Sequence, residues 1–302
     1  MPGPPPRATR HTFTGTGHVH RDGNSDDDTM TVLALTGCAI FAGLVGAGLA
    51  GVTITVFLHR GLTHGAYRVS RPIYDVGRLM TFLTVFMRHW EWRLVHRKHH
   101  LYSDLWIDDV RHDPHSPILI SERQGIDGFR RVAWHMAAIF HAAARSRDIR
   151  DGTYELAGDR ALDWFDRYGF NRPVVGAMLT GTAYATAFAL GAPDLLGLGR
   201  TPGSELLCVA GGLLALGVHV TVMLRFGGAI NSDCHRGEEF VEGAGYAKNV
   251  GLLSFLIFGE GEHLTHHLHP ELAQISARWD LGWRVITVLR RLRLTEVAVE
   301  RG

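Results

Sequence analysis

Long apolar runs alternate with strongly charged segments along this chain. Residues 31–58, TVLALTGCAIFAGLVGAGLAGVTITVFL, carry no charged side chain. As one helix they extend about 40 Å, more than a hydrocarbon core of roughly 30 Å. A tilted or protruding transmembrane helix is therefore expected. Residues 173–198 and 204–230 are two further apolar runs, and the turn-forming GLGRTPG between them predicts a transmembrane hairpin. Residues 72–88 are apolar on one side but include Asp75 and Arg78. Charge is costly in mid-membrane, so this segment predicts an amphipathic helix lying on the membrane or on the charged part of the protein. A short apolar helix is expected near 131–144 and a last helix near 280–293.

Residues 1–29 are rich in Pro, Gly, Thr and Asp without apolar periodicity, which predicts a disordered tail. They lack the ordered parts of a signal peptide, and Met30 offers an alternative start. The domain reading is thus a tail, 1–29, and one domain, 30–302. In that domain three spans carry a cap made of 59–172 and 231–302. The fold class is all-α integral membrane protein with a cytoplasmic helical cap.

Composition narrows the function. The formal net charge of +1 gives no bulk signal for nucleic acid. Cys38, Cys208 and Cys234 lack C-x-x-C spacing, so neither a disulfide framework nor a thiolate metal site is expected. Arginines are dense between the first span and the hairpin, which places that stretch in the cytoplasm. The first span ends at His59 and the last at Asn231 and His235, so both deliver these residues to one membrane face.

The histidines carry the chemistry. HRGLTH holds His59 and His64, HRKHH holds His96, His99 and His100, NSDCH ends at His235, and HLTHH holds His263, His266 and His267. Imidazole is the commonest protein ligand for iron, zinc and copper. On a helix, H-x-x-H-H puts all three rings on one face. The five-residue spacing of His59 and His64 does not align on a regular helix. Zinc needs only about four ligands. Nine histidines suit two ions with open positions, iron or copper by ligand type. His135, His141 and His219 lie on apolar helices and read as core or interface residues. His115 and His269 adjoin the ligand strings.

These strings, in this order, resemble the membrane fatty acid desaturases, in particular the acyl-CoA desaturase-like (delta-9) branch. HRGLTHGAYRVSRP, HRKHHLYSD with DPHSP, INSDCH and FGEGEHLTHHLHP are similar to that branch's successive metal-binding segments. The resemblance implies two iron ions, one drawing on His59, His64, His96, His100 and His266, the other on His99, His235, His263 and His267. It implies that Asn231 holds an iron through water. Glu262, Asp104 and Asp113 are candidate carboxylates fixing imidazole orientation. Gly227 and Gly228, where the branch usually has Thr-Trp, leave space in the implied acyl pocket, to which Trp92 is also assigned. Arg93, Arg97 and Lys98 are candidates for a phosphate-bearing head group. Further departures are HLTHH in place of an asparagine-rich box and one span before the first box in place of two.

The implied reaction is oxygen-dependent dehydrogenation of a fatty acyl chain, carried as acyl-CoA, on an acyl carrier or in a lipid. Dioxygen is the co-substrate, and the products are an alkene and two waters. Two electrons come from outside, the expected donor being ferredoxin with its reductase. A di-iron acyl hydroxylase and a non-catalytic membrane metal-binding protein are the rival readings. The spans hold no acidic residue away from the hairpin turn at Asp194 and Glu205, which argues against a transport path.

Overall fold

The computed structural model describes residue 3 and residues 23–108, 110–116 and 128–297. Most of the expected tail lies outside the described residues. Its last part is instead helical. α1 runs Gly23–Val52 and continues without a break as a π-helix over Thr53–Thr63. α2, Arg71–Met80, likewise passes into a π-helical turn, Thr81–Val85. α3 is His89–Leu101. A two-stranded hairpin, β1 Trp106–Ile107 and β2 Val110–Arg111, pairs Trp106 with Arg111. α4 is Gly128–Ala143, α5 Arg147–Arg150, α6 Pro173–Leu195 and α7 Pro202–Asp233. α8, Gly251–Leu256, α9, His263–Leu268, and α10, Leu281–Arg291, complete the cap.

Among the described residues, three helices are long and apolar enough to cross a membrane: Asp28–Thr63, Pro173–Leu195 and Pro202–Asp233. α6 and α7 each start at proline, whose missing N–H costs nothing in a first turn. Thr201 and Ser204 add a reciprocal capping box to α7. α7 packs along both α1 and α6.

On α1 the exposed large apolar side chains run from Met30 to Leu49. That stretch measures about 30 Å, the thickness of a hydrocarbon core. From Val56 to Gly61 every residue is buried. The helix therefore leaves the lipid-facing layer and enters the cap before it reaches His59.

The segment expected at 72–88 packs inward with its polar side. Arg78 is buried and paired with Asp163 and Asp166, while Val76 and Leu79 are exposed. His219, inside α7, is buried and donates from Nε2 to the Thr84 carbonyl, 3.0 Å away. That bond satisfies a backbone group left open where the second π-helix ends. Of the core or interface positions expected for His135 and His141 of α4, the core is ruled out, since both are exposed.

Candidate metal centre

Nine histidines from four stretches of the chain converge in the cap. His59 comes from the π-helix that extends α1 and His64 just follows it; His96, His99 and His100 come from α3. His235 follows α7, and His263, His266 and His267 come from α9. The π-helix explains the first pair. Its hydrogen bonds join residues five apart, as in His64 N–H to the His59 carbonyl at 3.1 Å. A five-residue spacing that misaligns on an α-helix thereby brings the two rings to 4.9 Å, centroid to centroid.

The donor atoms fall into two sets. His59, His64, His96, His100 and His266 offer nitrogens within 4.8 Å of one another, and so do His99, His235, His263 and His267. Within the first, Nε2 of His59 and His266 are 2.8 Å apart, His266 and His100 3.1 Å, and His100 and His96 3.2 Å. Within the second, His235 and His263 are 2.9 Å apart, and His263 and His267 3.2 Å. Nitrogens side by side on one ion, each about 2.1 Å from it, stand roughly 3 Å apart. The Nε2 atoms of His64 and His99 are buried without a hydrogen-bond partner. Both observations fit nitrogens aimed at metal ions.

Carboxylates hold the far sides of three rings. His99 Nδ1 lies 2.9 Å from Asp113, His235 Nδ1 3.0 Å from Asp104, and His59 Nδ1 2.9 Å from Glu260. Ser103 Oγ lies 3.1 Å from His267 Nδ1. Such partners keep the proton on Nδ1 and leave the Nε2 lone pair for a metal. Asp104 adopts a positive φ of 55° and accepts from Ser116 and from the Tyr246 N–H. Strain of this kind persists where neighbours fix the residue. His115 stacks on His99 at 4.2 Å, and its backbone N–H donates to Asp113. It lies within ligand distance of His99 and Asp113, but the Asp113–Nδ1 contact reads as support for His99.

Burial dominates the electrostatics. It holds His64, His96, His99, His100, His263, His266 and His267 well below the usual imidazole range, and neighbouring rings add to the effect. Neutral imidazole is the metal-binding form. Burial and the nearby Asp104 push Asp113 up to about 7. Burial also opposes the charge on Glu260, yet His59 and Arg60 outweigh it and hold that carboxyl below its usual range.

Several sequence expectations are corrected. Glu262 does not meet a ligand imidazole among the described contacts; its carbonyl accepts the His266 N–H. Glu260 does meet one. It is two residues earlier, across the tight turn at Gly259 and Gly261, so it reaches back to His59. Arg93, Arg97 and Lys98 do not form an open phosphate cradle. Arg93 and Arg97 pair with Asp159 and Lys98 with Asp148, so their charge is spent inside the cap. Trp92 stacks on His96 at 4.7 Å and belongs to the core beneath the first set. Asn231 is not among these corrections: its Nδ2 donates to the Gly227 carbonyl one turn earlier, a bond that does not engage its Oδ1. His269 is exposed, and His89 is buried against Asp166, outside both sets.

Below the sets lies a small apolar pocket between α1 and α7. Gly51, Ile54 and Thr55 line one side, Met223, Phe226, Gly227 and Ile230 the other, and Ile257 and Phe258 close it from α8's side. A Cβ on Gly51 would strike the Phe258 ring, whereas one on Gly227 meets open space. Gly228 is buried beside the pocket, its carbonyl taken by Ser232.

The fatty acid desaturase family model matches residues 31–277. This chain belongs to the fatty acid desaturase family. Within it, the chain falls in the delta-9-like branch. It is 26% identical over 258 residues to delta-9 acyl-lipid desaturase 2 of Arabidopsis thaliana, covering 83% of this chain and 72% of that protein. It is 25% identical over 250 residues to the sn-1 stearoyl-lipid 9-desaturase of Synechocystis, covering 82% and 67%. It is also 27% identical over 250 residues to a hex-5-enoyl-[acyl-carrier protein] acetylenase of Moorena producens, covering 82% and 72%. These desaturase-family relatives thus differ among themselves in acyl carrier and in the bond they make. Membership makes the chain an oxidoreductase whose family acts on fatty acyl chains.

Proposed function

We propose that this chain is an oxygen-dependent acyl desaturase working through two iron ions held by the two imidazole sets. His59, His64, His96, His100 and His266 would hold one, and His99, His235, His263 and His267 the other, with Asn231 contributing through water. The carrying observation is the convergence of nine imidazoles one helical turn above the apolar pocket, where Thr55 precedes His59 by four residues. Bound there, a pair of irons supplies reductive activation of dioxygen, the chemistry that takes one hydrogen from each of two adjacent methylenes and yields an alkene and two waters.

The chain's own residues do the rest. Asp104, Asp113 and Glu260 hold Nδ1 protons and fix ring orientation. The pocket admits acyl methylenes from the lipid side, and the open space at Gly227 shapes where the chain bends. The buried ring cluster keeps bulk water from the reacting carbons. Cys38, Cys208 and Cys234 are free thiols, one fewer than the four that a cysteine-ligated iron–sulfur cluster takes. A ferredoxin with its reductase fits as the donor of the two electrons. The excess of arginine in the cap supports a cytoplasmic position for it.

Lipid, thioester and acyl-carrier profiling of cells with and without the protein, under labelled dioxygen, tests this reading. A new double bond without label in the product is expected, and its position, chain length and carrier are read together. Retained label would replace desaturation by hydroxylation. His99→Ala and His263→Ala should each abolish iron loading and product, and full activity in either variant would sink the assignment.

A further inference from the structure

The last helix carries a surface that the metal centre does not use. On α10, Leu281, Arg284, Val288, Arg291 and Leu292 share one exposed face at helical spacing. Arg278 and Trp279, just before the helix, and Arg293, just after it, are exposed as well. Among the described residues, Arg278, Arg284, Arg291 and Arg293 form no ion pair. This contrasts with Arg60, Arg78, Arg93 and Arg97, each neutralised by a carboxylate. The acidic residue of this segment, Asp280, is buried and occupied by Arg60.

The height of the helix is fixed by its buried side. Ile286 packs with Val56, and with Val52 at the rim of the same cluster. The exposed apolar stretch of α1 ends at Leu49, so Val52 and Val56 lie about 5–10 Å beyond it along the helix. That is the depth of the polar headgroup layer flanking a bilayer core. A helix placed there, with apolar and unneutralised basic residues on one outward face, matches anionic lipid in both respects.

We infer that α10 and its flanking arginines form a binding surface for anionic phospholipid headgroups. Arginine supplies the planar donors for phosphate oxygens, and Leu281, Val288 and Leu292 enter the acyl boundary beneath. An acidic soluble protein would use the charge but leave the apolar residues without a partner. This inference rests on the placement of the spans and not on the catalytic reading, so the two fail separately.

The test uses the full chain in a neutral detergent. It is mixed with equal amounts of phosphatidylglycerol and phosphatidylcholine, washed, and the retained lipid is counted by mass spectrometry. The wild type should retain phosphatidylglycerol preferentially, and raised salt should weaken the preference. R284Q/R291Q/R293Q should lower it by roughly fivefold per removed charge, the size expected for a basic residue at an anionic leaflet. The matching lysine variant should keep most of it. An unchanged melting temperature shows that the glutamine variant is folded, as expected for side chains without ion pairs. If the fold shifts, single Arg284→Gln and Arg291→Gln variants are compared in the same assay. Equal retention of both lipids by the wild type overturns the inference. So does an unaltered preference in the folded variant, and so does a variant that loses only electron delivery from an acidic redox protein.

Discussion

His59 and Arg60 are neighbours in sequence that serve two different networks. His59 faces the first imidazole set and leans on Glu260. Arg60 turns the other way and bonds Asp280, Glu260 and the carbonyls of Phe258 and Ala273. Glu260 thus joins a ring of the metal centre to a buried ion network. Glu260→Gln removes the charge that orients His59 and should weaken metal binding about 10–100-fold, measured by competition with a chelator. Arg60→Met leaves Asp280 and Glu260 buried without their cation. A loss of about 3–5 kcal/mol in unfolding free energy is expected, and equal stability of variant and wild type would contradict it. The ligand strings were legible because each packs two or three histidines into a few residues. Glu260 was not, because its partner lies about 200 positions away and Glu262 sits nearer to His263 along the chain. The partners of Arg93, Arg97 and Lys98 were hidden for the same reason: Asp159 and Asp148 are remote in sequence.

At the scale of elements, the three apolar helices could be read from hydropathy to within a few residues, since long uncharged runs have few alternatives. The π-helix at Thr53–Thr63 could not. Its signal was the five-residue spacing of His59 and His64, which only a wider turn reconciles with one metal set. Inserting an alanine between Leu62 and Thr63 would carry His64 onto another face. Iron content should fall while helical circular dichroism stays, and full loading would argue that the π geometry is incidental. The pocket follows from α1 meeting α7, and there the structure singles out Gly227 over Gly228. Gly227→Leu grows into open space, so iron loading should stay at the wild-type level while acyl-chain acceptance or bond position changes in product analysis. An identical product profile would remove Gly227 from the substrate path.

For the whole molecule, seven of the buried ligand rings and His89 have proton affinities depressed by burial. An unfolded chain takes up protons at these positions as pH falls through about 6.5, and the folded one does not. Their contribution to folding is therefore intact above that pH and declines below it, by up to ~1.4 kcal/mol per pH unit for each ring. The metal-free protein should melt at progressively lower temperature from pH 7 to pH 5, and bound metal should flatten the slope because protons and metal compete for the same nitrogens. A pH-independent melting temperature in metal-free protein would contradict this. The three candidate spans have one more consequence. If all three of these spans of the described residues cross, the start of α1 and the end of α10 lie on opposite sides of a bilayer. Reporter proteins joined ahead of Gly23 and behind Val297 would then sit in compartments of different acidity and redox poise, and only the second would share its solution with the histidine cap.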